Sequence, residues 1–140
     1  MADPRRYSKT IMPFDIAENE LKKTECIIGA LPEEYRVAMM EENGGEAETE
    51  EGHWEFYPIK DTTDRKRMSR TCNHIISETE SCKGYGNFPE GAIAVADNGL
   101  GDQMLFINQD GKFKDKVYLW LHETGETQVL AESFNEINRL

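Results

Sequence analysis

Apolar residues recur along the chain in two different periods. Ala17, Leu21, Thr24 and Ile28 follow helical spacing up to Gly29, and Asp15 stands three residues before Glu18 as in a capping box. This predicts a first helix of about four turns. Pro32 suits the first position of a second helix, with Tyr35, Val37, Ala38, Met39 and Met40 on its buried side and Asn43-Gly44-Gly45 ending it. The two should form a hairpin-like pair. Residues 54–59 then show a partly alternating aromatic pattern, a short strand that Pro58 stops or pushes to an edge. Thr63 or Asp64 can cap a third helix in which Met68, Cys72, Ile75 and Ile76 share one face. A Gly-, Pro- and Asn-containing loop over 81–90 leads into the second period. Strands are predicted at 92–96, 103–108, 117–121 and 127–131, joined by short polar turns, which reads as an antiparallel meander. Ser133 and Glu136 have capping-box spacing, and Phe134, Ile137 and Leu140 can fold a last helix back on the sheet.

The expected fold is therefore a single α+β domain over residues 1–140: N-terminal helices packed on a mainly antiparallel sheet, a short C-terminal helix, and a flexible lead-in at 1–13. A chain of 140 residues fits one core, and two Trp, five Tyr and six Phe supply enough large side chains to close it. The net charge of −11 disfavours nucleic acid and anionic membranes as partners and favours cationic ones, although plain solubility accounts for it equally well. Cys26, Cys72 and Cys82 form no Cys-x-x-Cys pair, so neither a disulfide framework nor a four-cysteine zinc site is indicated. No apolar run approaches the ~20 residues that span a bilayer, and 1–13 lacks the apolar stretch of a signal peptide, so a cytoplasmic protein is expected.

Candidate chemistry is sparse. Asp97-Asn98-Gly99-Leu100-Gly101-Asp102 lies between two apolar runs, so it reads as a tight turn between strands rather than a phosphate loop feeding a helix. Its oxygens lack the alternate spacing of a calcium loop, and a turn role for Asp97, Asn98 and Asp102 is favoured. His53, His74 and His122 fall in three different elements. His122 and Glu123 should point to opposite faces of a strand, which does not suit an acid–base pair. Ser77, Ser81 and Ser133 have no Gly-x-Ser-x-Gly setting. No catalytic residue, cofactor or metal is expected. Two charge features remain. Glu41, Glu42, Glu46, Glu48, Glu50 and Glu51 crowd a segment that like charge should keep solvated. Arg65, Lys66, Arg67 and Arg70 crowd the start of the third helix against its macrodipole, answering the acidic segment, an outside partner, or only solvent.

Five short stretches carry a resemblance to the SUKH superfamily: Leu31-Pro32-Glu33-Glu34-Tyr35, Asn43-Gly44-Gly45, the run 96–102 with Asp97, Asn98, Gly99, Gly101 and Asp102, the run 117–123 ending in Trp120-Leu121-His122-Glu123, and Ala131-Glu132-Ser133-Phe134. Leu100 stands where many relatives have another glycine, and 62–89 matches no motif. The superfamily includes cell-wall assembly regulators of yeast and many bacterial immunity proteins. The resemblance implies a protein encoded beside a secreted toxin that binds and silences it, many such toxins being nucleases with basic active-site surfaces. Glu46, Glu48, Glu50 and Glu51 would then supply steering and rim contacts, and Trp54, Tyr57 or Tyr85 the aromatic anchors if exposed. The motif residues would serve the fold. Two other readings stay open: a non-catalytic scaffold binding several protein partners, and a small metal-dependent hydrolase using Asp97, Asp102 or His122.

Overall fold

Four aromatic rings from separate parts of the chain meet edge-on at one place. Tyr35 lies 5.2 Å from Phe106 and 5.3 Å from Phe134, and Phe134 lies 5.6 Å from Phe56. Edge-to-face pairs add about 0.5–1.5 kcal/mol each beyond the area they bury. This cluster joins a helix, two strands and the C-terminal segment. It thereby decides which side of the sheet faces the N-terminal helices.

The computed structural model describes residues 13–140. The proposed flexible lead-in lies, apart from Pro13, outside the described residues. In chain order the elements are α1 (Glu18–Ile28), α2 (Glu33–Glu41), β1 (Glu46–Thr49), β2 (Gly52–Phe56), α3 (Arg65–Arg70), α4 (Ile75–Lys83), β3 (Ala92–Asp97), β4 (Gln103–Gln109), β5 (Lys112–Phe113), β6 (Val117–Trp120), β7 (Thr127–Ala131), a 3₁₀ turn (Phe134–Glu136) and β8 (Asn138–Arg139). The strands form one eight-stranded sheet in the order β7-β6-β4-β3-β2-β1-β8, with β5 pairing the end of β4. Every ladder is antiparallel. The α+β architecture expected from the sequence is the one observed.

Both faces of the central strand are covered. All of Ala92–Ala96 is buried. Tyr35 brings α2 onto one face. On the other, α4 packs against β3, where Thr79 Oγ1 accepts a 2.8 Å hydrogen bond from the Ala94 amide at a bulge in the β3–β4 register. The helix pair is tied by Glu25, whose carboxylate accepts from the Leu31 amide at 2.7 Å and from Arg36 at 3.1 Å.

Several expectations are corrected. Asp15 does not cap α1, which starts at Glu18 behind Ala17 with no side-chain cap; the Asp15 carboxylate instead takes Arg67 at 3.0 Å. Val37 on α2 is exposed rather than inward. The acidic segment is not wholly solvated, because Glu46-Ala47-Glu48-Thr49 alternates and buries Ala47 opposite Trp54 as strand β1. The third helix is broken into α3 and α4. At the break, Thr71 Oγ1 donates to the Arg67 carbonyl and accepts from the Asp61 amide, and the Ile75 amide donates to the Pro58 carbonyl. The turn carries Ile75 into the core and leaves Met68 and Cys72 exposed, so the expected single apolar face does not form. The C-terminal helix is only the 3₁₀ turn. Ser133 makes no cap, Glu136 accepts from the Glu132 amide, and the chain returns to extended form to pair β8 with β1.

One polar residue holds the link after β2. Asn43 is buried, and its side-chain amide both donates to the Ile59 carbonyl and accepts from the Ile59 amide at 2.8 Å. Asn43→Ala leaves both buried backbone groups unpaired, each at about 1–3 kcal/mol, so a total loss of about 2–6 kcal/mol is expected. Urea unfolding should show a lower midpoint at unchanged slope. A midpoint that does not move would refute this role.

Candidate functional site

The cross-strand register places Glu46 opposite Glu55, Glu55 opposite Asp97, Asp97 opposite Gln103 and Gln103 opposite Trp120. Phe56 points to Phe134, on the face that carries Tyr35 of α2, so its neighbour Glu55, and with it this whole row, lies on the other face. Three carboxylates thus stand on adjacent strands in direct opposition, an arrangement that repels. One row further out, Glu48 lies opposite His53. The imidazole bridges the two rows, with Nε2 2.6 Å from Glu46 Oε1 and Nδ1 2.6 Å from Glu48 Oε1. A carboxylate acceptor on each ring nitrogen requires both to donate, so His53 is held as imidazolium. Glu48 and then Glu46 raise its pKa above the ordinary imidazole value, against a smaller opposing effect of burial. Glu46, His53 and Glu55 also bring side-chain oxygen and nitrogen atoms within 4.8 Å of one another, but an imidazolium has no lone pair to offer a metal. Glu50 and Glu51 are exposed at the tip of the β1–β2 hairpin.

The basic side chains of the frame are engaged elsewhere. Arg36 reaches Glu25, Glu33 and Glu18 at 3.1 to 3.3 Å. Arg67 donates to Asp61 and Asp15, both at 3.0 Å, so of the basic cluster this residue answers those two carboxylates and not the acidic segment. Burial works against ionisation of Asp61, yet its bonds from Thr63 and Arg67 prevail and hold its pKa below the usual carboxylate value. Arg67 and Arg70 also cover the Phe14 ring at 4.5 and 4.4 Å. Arg139 donates to the Glu42 and Gly44 carbonyls and lies 5.1 Å from the centre of the Phe56 ring. Among the described residues, no lysine or arginine forms a salt bridge with Glu46, Glu48, Glu55, Glu78 or Asp97.

Where the row meets α4 the surface opens into a cleft of about 370 Å³ lined by Tyr57, Glu78, Ser81, Cys82, Tyr85 and Gln103. The Tyr57 hydroxyl donates to Gln103 Oε1 at 2.8 Å, and Gln103 Nε2 donates to the Gly101 carbonyl. Burial, and then the charge of Asp97, raises the pKa of Glu78. Burial, with Glu78 and Asp97, pushes the Cys82 thiol up to about 11. Tyr85 is half exposed on the rim, edge-on to Trp120 at 5.8 Å and to His122 at 5.4 Å.

Of the proposed anchors, only Tyr85 is at the surface. Trp54 is fully buried and its indole donates to Thr49 Oγ1, and Tyr57 is 7% exposed, because both close the core at the β2 end. The 97–102 run is a self-bonded turn: Asp97 Oδ1 accepts from Gly99, Asn98 Oδ1 from Leu100, and Asp102 from both the backbone and the ring of His122. Gly101, at φ 102°, lies under that ring, and a Cβ there would come within 2.9 Å of it. His122 therefore pairs with Asp102 and not with the exposed Glu123. Leu31, Pro32, Tyr35, Trp120 and Phe134 are buried, Gly44 and Gly45 turn the chain after α2, and Ser133 is half-buried. Glu55, Glu78 and Gln103 were missed. The alternation Trp54-Glu55-Phe56 carried the signal for Glu55, but nothing local to Glu78 or Gln103 tells that they meet.

A raised folded-state pKa makes the His53 clamp stabilising below the ordinary imidazole value, and this contribution is lost as pH rises through the folded value. Proton NMR titration should place the His53 midpoint above that of an unfolded reference. His53→Gln should flatten stability against pH across that window. A midpoint at or below the reference would disprove the clamp.

A comparison with known protein families matches residues 15–138 to the SMI1 / KNR4 family (SUKH-1). No curated protein matches the chain. No helix of the described residues is long and apolar enough to cross a membrane. The match covers nearly the whole of the described fold, from the segment before α1 to β8, and with it the chain belongs to the SMI1 / KNR4 family (SUKH-1).

Proposed function

We propose that this protein is an immunity protein: it binds a cognate bacterial toxin with a basic active surface, a nuclease in the leading form of the reading, and silences it by covering that surface in the cytoplasm. The observation that carries this is the in-register run Glu46, Glu55 and Asp97, with Glu48, Glu50 and Glu51 alongside, on a sheet face that α4 leaves uncovered. Like charges in direct opposition reduce stability, and a cationic partner removes the repulsion. The family is associated broadly with toxin immunity and cell-wall regulation, which supports a protein partner. Occlusion needs fit and charge, and no turnover by the protein itself. A field of this sign also speeds encounter with a basic surface.

The first test is co-expression with the toxin encoded beside the gene, where growth should be restored. Equal killing with and without the protein would end the proposal. The second is reversal of Glu48, Glu50 and Glu51 to Lys together, which should slow association by about tenfold or more at low ionic strength, since steering of this kind changes on-rates by 10–10³. The difference should shrink as salt screens the field, with dissociation changed less. An association rate unaffected by the reversal would place the contact on another surface.

A further inference from the structure

We infer that the cleft between β2, β4 and α4 is an arginine pocket: it seats one guanidinium side chain of the basic partner between the carboxylates of Glu78 and Asp97, against the ring of Tyr85. This rests on the partner being cationic, as proposed above, and names the contact that would anchor it. Position is the first argument. Asp97 is the last carboxylate of the row that begins at Glu46, and it stands directly opposite Gln103, which lines the cleft together with Glu78. The pocket is thus the end of the acidic face, where it gains walls and partly excludes water.

The wall chemistry selects the occupant. Glu78 lines the cleft from α4, Asp97 stands at its edge on β3 beside Gln103, and no lysine or arginine among the described residues forms a salt bridge with either. Partial burial of two like charges is unfavourable, and a cation between them converts that repulsion to attraction. A planar guanidinium has five donors and can bond two carboxylates while one face lies on an aromatic ring; an ammonium cannot do both. Tyr85 supplies that ring. The ring is half exposed at the rim, and Trp120 and His122 hold it in place, so little side-chain freedom is lost on binding. A hard metal ion is less well served, because Gln103 Oε1 already accepts from Tyr57 and Asp97 Oδ1 from Gly99.

The test needs no toxin. ¹⁵N–¹H NMR titration of the intact protein with an end-blocked Gly-Arg-Gly peptide should shift the amides of Ser81, Tyr85 and Gln103 saturably, and the matching Lys peptide should bind more weakly. Glu78→Gln, close in shape, should weaken arginine binding at least about tenfold through loss of a charge-assisted pair, and Tyr85→Ala about threefold. Glu80→Gln removes one negative charge from the same helix outside the cleft and should leave binding within about twofold. Retained spectral dispersion in each variant shows that it is folded. Shifts confined to Glu46, Glu48 and Glu55, or equal binding by wild type and Glu78→Gln, would overturn the assignment. A cleft that ignores arginine beside a toxin that is still neutralised overturns this inference and leaves the immunity reading intact. A cleft that binds arginine beside a toxin that kills regardless does the reverse.

Discussion

The period-two alternation of β2 against β3 is the constraint on which the rest of the molecule depends. Phe56 must face Phe134 and the helix pair, and once it does, Glu55 and Asp97 are forced to the opposite side in register with Glu46 and Gln103. A slip of one residue would bury the carboxylates and expose the phenyl ring, so the aromatic core and the acidic face cannot be set independently. Burying a Phe-sized side chain contributes about 1.5–3 kcal/mol, which readily outweighs repulsion between exposed carboxylates across a strand pair at about 0.2–1 kcal/mol. The fold can therefore sustain a surface that, considered alone, disfavours itself.

Charge is sorted by role. The arginines that are partly shielded, Arg36, Arg67 and Arg139, each gather carboxylates or carbonyls from separate segments and so fix how α1, α2, α3 and β8 sit. Shielded pairs of this kind contribute little net stability, but loss of one member is costly because it strands the other. They hold geometry and are not free to neutralise the open face. There, His53 lies between Glu46 and Glu48, and the two carboxylates favour its charged form. The surplus acid is left where a partner can reach it.

Much of the architecture was legible because local and global signals agreed. The strands of the meander were read within about a residue of their observed ends, since alternation and turn residues such as Asn98-Gly99 and Asp110-Gly111 act over a few positions. Failures came where a side chain had a stronger partner far along the chain. Asp15 has capping spacing with Glu18 but is taken by Arg67, and Glu136 has it with Ser133 but turns to the Glu132 amide. Charge counting hid β1, because Glu46-Ala47-Glu48-Thr49 looks solvated until Ala47 is placed against Trp54. Helical periodicity through Met68, Cys72, Ile75 and Ile76 was real, yet Thr71 and Pro58 offered the backbone other bonds and the helix broke.

The sequence by itself determined the fold class, the helix pair, the meander and the acidic excess, all of which follow from propensity, period and composition. It could not tell which carboxylates share a face, nor that Trp54 and Tyr57 are core while Tyr85 is rim. Those are facts of register and packing between residues up to several dozen positions apart. Only the assembled sheet sets Glu55, Asp97 and Gln103 in one row and Glu78 beside Gln103, because their proximity is decided by which strands pair and by the side of the sheet on which α4 comes to rest.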